Sequence, residues 1–143
     1  LTLGTYVAYT LDPHTHEIEW INAGHLPPLV VSPNGLSREL AITGPLLSAL
    51  GGNWTSARTT ISPDDIVVMW TDGITESRDA AGEELEVSGL TKIITGAQAN
   101  AQVEPVHLVR KVLAAGRARA VNWGSDDRTL VIAAFDDARG SST

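Results

Sequence analysis

Asp72 follows the apolar run Ile66–Thr71, is followed at once by Gly73, and has a second acid close by at Glu76. Asp126-Asp127 stands just before another apolar run, Thr129–Phe135. Carboxylates at the mouths of two buried strands have two readings. In the first, Asp72-Gly73 is turn chemistry, Asp126-Asp127 is a solvated loop, and Glu76 solvates or caps the segment after it. In the second, the two strands are antiparallel neighbours, so Asp72 and Asp126 meet at one sheet edge. Two like charges ~4 Å apart repel by about 4 kcal/mol at an effective dielectric of ~20. Water, protonation, a guanidinium such as Arg78 or Arg128, or a cation must then relieve them. Oxygen-only ligands suit Mg²⁺ or Mn²⁺, and Mg²⁺ keeps several waters, so two or three carboxylates suffice. A water activated by such an ion is a nucleophile for hydrolysis.

The remaining polar residues carry less. His14 and His16 fall in a turn and His107 on a helix, all expected at the surface. Asn22 and His25 in "NAGHLPP" read as a clasp across a loop that Gly24 lets turn and Pro27-Pro28 stiffens. Arg110, Lys111, Arg117 and Arg119 read as a solvated basic face. The chain has no phosphate-binding Gly-x-x-x-x-Gly-Lys-Ser/Thr loop, no Gly-x-Ser-x-Gly elbow and no His-Glu-x-x-His helix. It has no cysteine either, which excludes disulfides, thiolate metal sites and thiol nucleophiles.

The elements that must place these residues belong to one domain with a real core. The chain has 143 residues, 43% of them hydrophobic. Its formal charge of −7, from 17 acids against 10 bases, argues against a nucleic-acid surface. No run is long enough to span a membrane, and the N-terminus has no signal-peptide pattern. A cytoplasmic setting is the expectation.

Along the chain, residues 5–11 and 17–21 read as a hairpin, and 29–32 and 36–42 as two further strands around the turn Pro33-Asn34-Gly35. Residues 44–53 read as irregular, 57–61 as extended, 62–65 as a turn and 79–84 as a loop. Val87, Leu90, Ile93, Ile94 and Ala97 share a helical face. After a break at 98–103, Pro105 opens a second helix striped by Leu108, Val109, Val112 and Leu113. Strands in hairpin order, two helices and a last strand make an α+β arrangement, with helices packed on antiparallel sheets.

"WINAGHLPPLVV", "GPLLSALG", "SPDDIVVMWTDGITES" and "DDRTLVIA", in this order and spacing, resemble the bacterial metal-dependent protein phosphatases. This is the protein phosphatase 2C-like group that includes stage II sporulation protein E and sigma-factor regulators. The resemblance covers nearly the whole chain. It implies a β-sandwich flanked by helices, with a two-metal Mn²⁺ or Mg²⁺ centre at one end. It implies hydrolysis of phosphoserine or phosphothreonine on a regulatory protein such as an anti-sigma-factor antagonist. No side chain would attack directly, because the nucleophile is a metal-held water.

By the same resemblance, Asp72 and Asp126 match metal ligands, and Gly73, Glu76, Asp127 and Thr129 support their motifs. Asn22, Gly24 and His25 match a signature to which no catalytic role is attached. "GPLLSALG" departs from the family's usual Pro-Leu-Gly. The family's upstream Asp-x-x-Gly-His-Gly does not occur here, so the expectation is the C-terminal part of a phosphatase domain over residues 1–136, incomplete at its N-terminal side and inactive alone. A polar tail at 137–143 is expected to be disordered. An exposed sheet edge or apolar face, and self-association through it, would follow. The alternative is a non-catalytic phosphatase-like module that docks a regulatory protein.

Overall fold

The computed structural model describes residues 2–98, 104–124 and 126–135. The tail at 137–143 and the break at 99–103 lie outside the described residues. The elements are β1 (Leu3–Gly4), β2 (Tyr6–Leu11), β3 (Glu17–Ala23), β4 (Leu29–Val31), β5 (Ser37–Glu39), β6 (Leu47–Ser48), β7 (Ala57–Thr60), β8 (Ile66–Trp70), α1 (Asp72–Thr75), α2 (Glu86–Gln98), α3 (Pro105–Arg119) and β9 (Leu130–Ala134). The α+β class is observed.

Two larger antiparallel sheets carry the architecture, ordered β2-β3-β7 and β5-β4-β8-β9. The four-stranded sheet is covered on both faces, which explains why β4 and β8 are apolar runs without polar alternation. Leu29, Val31, Ile66, Val68 and Trp70 point one way and pack with Leu90 and Ile94 of α2 and Leu108 and Val112 of α3. Val30 and Val67 point the other way and pack with Ile18, Trp20, Leu40 and Ile61 between the sheets. The layers are therefore sheet, sheet, helices. Side chains alternate along each strand, so one apolar run serves two cores.

Local chemistry fixes the ends. Asp65, buried just before β8, accepts from the Ser32 hydroxyl at 2.7 Å and the Ser62 amide at 2.9 Å, so each carboxylate oxygen is satisfied. Trp20 buries its ring and donates its indole N–H to the Ala41 carbonyl at 2.9 Å. Pro105 occupies the first turn of α3, where its missing N–H costs nothing.

Three expectations change. Residues 44–53 are not wholly irregular, since β6 pairs with β1. Asp72-Gly73 does not form an isolated turn but opens α1, a four-residue helix. His16 is not simply solvated: it is half-buried at φ 55°, and its ring meets Phe135 edge-on at 4.8 Å. The Asp12 carboxylate tightens this hairpin turn by accepting from the His14 and Thr15 amides, which turns the chain back under the end of β9.

Tyr6, Ile21, Ala23, Leu47 and Trp54 line an apolar groove of about 310 Å³ at the surface of the three-stranded sheet. An exposed apolar face is thus present. Among the described residues, no helix is long and apolar enough to cross a membrane.

Leu108→Ala is expected to destabilise the fold by about 2–5 kcal/mol, because it empties a site 2% exposed between α3 and the sheet. Leu50→Ala, at a site 82% exposed, should stay within about 0.5 kcal/mol. Urea denaturation of both variants checks the contrast.

Candidate metal centre

The site begins with strand pairing. β8 and β9 run antiparallel with Trp70 opposite Leu130, so the C-terminal end of one lies beside the N-terminal end of the other. Thr71 extends the ladder by donating its amide to the Thr129 carbonyl at 3.1 Å. Its hydroxyl donates to the Asp127 carbonyl at 3.0 Å and accepts from the Thr129 amide at 2.9 Å. One side chain thereby ties the residue before Asp72 to the residue after Asp126.

Gly73 completes the approach. A Cβ there would lie 2.4 Å from the Asp127 carbonyl oxygen and 3.3 Å from the Asp126 Cβ. Only glycine lets these two backbones come so close. Asp72 and Asp126 are both exposed at this edge, and β8 and β9 are the antiparallel neighbours that the second reading requires. Ile74, 1% exposed, anchors α1 in the helix-side core. Glu76 donates its amide to the Asp72 carbonyl at 2.8 Å, closing the helical turn that Asp72 opens.

Gly73, Glu76, Arg78, Glu84, Asn122, Asp126 and Arg128 line a polar cleft of about 150 Å³, which Asp72 does not line. Neither guanidinium pairs with Asp72 or Asp126, so of the reliefs left open by the sequence this one is not used. Arg78 pairs with Glu84 and also donates to the Gly82 carbonyl. Arg128 donates to the carbonyls of Asp126 and Asn122 at 2.6 and 3.1 Å. Both side chains are thus directed to partners in their own loops.

The loop after α1 is held from α3. Arg119, expected on a solvated face, is half-buried and donates to the carbonyls of Ser77, Glu83 and Glu84 and to the Asp79 carboxylate. The reason is position. Arg119 ends α3, where the helix meets this loop, while Arg110, Lys111 and Arg117 remain exposed. The Glu83 amide above all, helped by the Ala81 amide and the Arg119 charge, holds the Asp79 carboxyl below the ordinary carboxylate range against the opposing effect of burial.

Asn22 and His25 stand elsewhere in the fold, and they form the expected clasp across their loop. The buried Asn22 amide accepts from the His25 backbone N–H at 2.8 Å and donates to the His25 carbonyl at 3.1 Å. The imidazole itself bonds the Leu26 carbonyl through Nδ1 at 3.0 Å. Gly24 has φ 70°, and a Cβ there would meet the Leu46 side chain at 2.5 Å. Asn22, Gly24 and His25 therefore shape a loop, and none of the three lines the polar cleft.

Sequence reasoning missed Thr71. Its only local signal is a hydroxyl residue between a strand end and an acid. As to metal, an exposed edge with two aspartates provides hard oxygen donors of the type Mg²⁺ or Mn²⁺ takes. Among the described residues, however, no group of three or more histidines and acids is arranged to hold an ion. Asp72 and Asp126 offer two hard oxygen donors, so an ion held there would need further donors.

Two outcomes test this geometry. Gly73→Ala should cost about 1–3 kcal/mol, because the new methyl meets the Asp127 carbonyl, which cannot move without breaking its bond from Thr71. Thermal unfolding measures it. Asp79 has a lowered folded pKa, so its contribution to stability is present above its unfolded value near ~4 and is lost as pH falls through the folded value. Asp79→Asn removes that titration. Between about pH 5 and pH 2 the urea midpoint of the unmutated protein should fall more steeply than that of the variant.

Comparison with known proteins agrees with this reading of the fold. Protein IcfG of Synechocystis sp. is 26% identical over 104 residues, 72% of this chain and 16% of the relative. The structure of the RsbU and RsbW domains of Rv1364c from Mycobacterium tuberculosis matches with a TM-score of 0.61 and 28% identity, covering 90% of this chain and 36% of that one. The SiaA-PP2C domain of Pseudomonas aeruginosa matches with a TM-score of 0.71 and 14% identity, covering 91% of this chain and 51% of that one. The chain thus spans about one sixth of the curated relative and about half or less of these two solved chains. The family model for stage II sporulation protein E (SpoIIE) matches residues 2–136. With its two sheets, its covering helices and its paired acidic strand ends, this chain belongs to the SpoIIE family, whose fold is that of protein phosphatase 2C-like domains.

Proposed function

We propose that this chain is part of a metal-dependent protein serine/threonine phosphatase that hydrolyses phosphoserine or phosphothreonine on a regulatory protein. A small anti-sigma-factor antagonist is the proposed substrate. The observation that carries the reading is the β8–β9 pairing, which sets the strand end before Asp72 beside the strand start after Asp126, in a chain of the SpoIIE family. The RsbX structure, which shares the fold, was determined in complex with magnesium.

In this reading Asp72 and Asp126 hold Mn²⁺ or Mg²⁺, with two ions in the intact domain. A divalent ion there supplies positive charge against the phosphoryl oxygens and lowers the cost of ionising a water. The chain's own residues do the positioning. Thr71 fixes the spacing of the two acidic turns, Gly73 permits it, and Ile74 keeps α1 from rocking. The exposed carboxylates leave the edge open to a phosphorylated loop of a partner protein. Asp127, Glu76 and Thr129 act through the turns they build, and no side chain attacks phosphorus.

Two carboxylates alone are a sparse ligand set, and the proposed activity belongs to the whole protein rather than to these 143 residues by themselves. The same sparseness supports the competing reading, a phosphatase-like module that docks a regulatory protein without turnover. A cytoplasmic setting and self-association through the apolar groove at Tyr6, Leu47 and Trp54 complete the proposal.

The test is Mn²⁺-dependent phosphate release from a phosphorylated anti-sigma-factor antagonist by the protein that carries this chain. Asp72→Asn and Asp126→Asn should each lower kcat at least a hundredfold. Unchanged turnover in either variant would reject its assigned role. Substrate binding without turnover by the unmutated protein would favour the docking module.

A further inference from the structure

We propose that Arg128 is a positioning residue for Asp126, fixing the loop that presents this carboxylate and so the affinity of the edge for a divalent cation. The inference rests on the metal-site reading above. Its basis is where the guanidinium goes. One terminal nitrogen donates to the carbonyl of Asp126 at 2.6 Å and the other to the carbonyl of Asn122 at 3.1 Å. A single planar group thus ties the carbonyls of Asn122 and Asp126 to one side chain.

This side chain is anchored beneath and beside. The Arg128 guanidinium carbon sits 4.6 Å from the Trp123 ring centre. That ring lies against α3 so closely that a Cβ on Gly116 would meet it at 2.8 Å. Alongside, the Asn122 side chain accepts from the Arg78 amide at 2.8 Å, and the Val121 amide donates to the Arg78 carbonyl at 2.8 Å. The segment that leads to Asp126 is therefore strapped both to α3 and to the loop that continues from Asp72.

Backbone position passes to the carboxylate itself. The Asp127 amide donates to Asp126 Oδ1 at 2.7 Å, so the orientation of this peptide sets the orientation of the side chain. Freeing the Asp126 carbonyl leaves the Thr71 bond to Asp127 as a main remaining tether. The carboxylate would then sample positions that no longer match Asp72. Groups that orient metal-binding side chains characteristically govern affinity tenfold to a hundredfold. Lysine cannot replace this arginine fully, because an ammonium lacks the planar fork that spans two carbonyls.

The experiment titrates Mn²⁺ into the protein that carries this chain and reads free Mn²⁺ by electron paramagnetic resonance, well below the unfolding temperature. Arg128→Ala should raise the Mn²⁺ dissociation constant about tenfold. Arg128→Lys should fall between that variant and the unmutated protein. Trp123→Leu, which keeps the guanidinium but removes its floor, should give a smaller rise and keeps the test decisive should Arg128→Ala fold poorly. Arg38→Ala is the control: Arg38 also ties down backbone, at the Thr60 carbonyl on the far sheet, and its loss should leave the dissociation constant unchanged. If Asp126→Asn abolishes Mn²⁺ binding while Arg128→Ala and Trp123→Leu stay within twofold of the unmutated protein, the positioning role is wrong and the metal site stands. If the unmutated protein binds no Mn²⁺, both fall.

Discussion

The antiparallel pairing of β8 with β9 is the constraint on which the site depends. It turns a separation of more than fifty residues along the chain into adjacency at one end of a sheet. Neither acidic turn has that property alone. Asp72 on its strand is an exposed residue opening a short helix, and Asp126 is an exposed loop residue. The ladder joins them, and Thr71 finishes it where regular pairing stops, by putting one hydroxyl between the Asp127 carbonyl and the Thr129 amide. A hydroxyl can donate and accept at once, which is why a threonine can hold two points of the facing strand.

Around that junction Arg119 and Arg128 donate mainly to backbone carbonyls, and the carboxylates that Arg78 and Arg119 do pair with are Glu84 and Asp79 rather than Asp72 or Asp126. Arg119 takes the carbonyls of the loop after α1, and Arg128 takes those of the loop before β9. Guanidinium groups suit this work, since their fixed fork reaches several acceptors without reorganising. The result is an acidic edge held by basic residues that do not cancel its charge. Such an edge keeps its attraction for a cation, whereas direct Arg–Asp pairs would have quenched it.

Much of this was readable in the residues. The apolar run Ile66–Trp70 announced a buried strand, and the spacing of Leu90 with Ile94 and of Leu108 with Val112 announced helices that cover a sheet. The acids at two strand mouths raised a metal reading beside a turn reading, and the β8–β9 pairing they would need is present. What escaped was non-local or too short to have a period. Nothing near Arg119 or Arg128 says which carbonyls they will meet, because their partners are set by how α3 crosses the loops. β1 and β6 have two residues each, and α1 has four, below the length at which hydrophobic spacing means anything. The Asn22 clasp was legible as a hydrogen bond across a stiff loop, and its detail, a side chain gripping the His25 backbone, was not.

The central sheet is shared by two hydrophobic layers, with Val67 turned to one and Val68 to the other. Inserting or deleting one residue in β8 would reverse every side chain beyond that point and turn both layers inside out together. Length variation in a lineage is thereby confined to the connecting loops, which can lengthen, shorten or change their docking surfaces freely. Asp72 then keeps a constant height above the interior while the loops around it are free to vary.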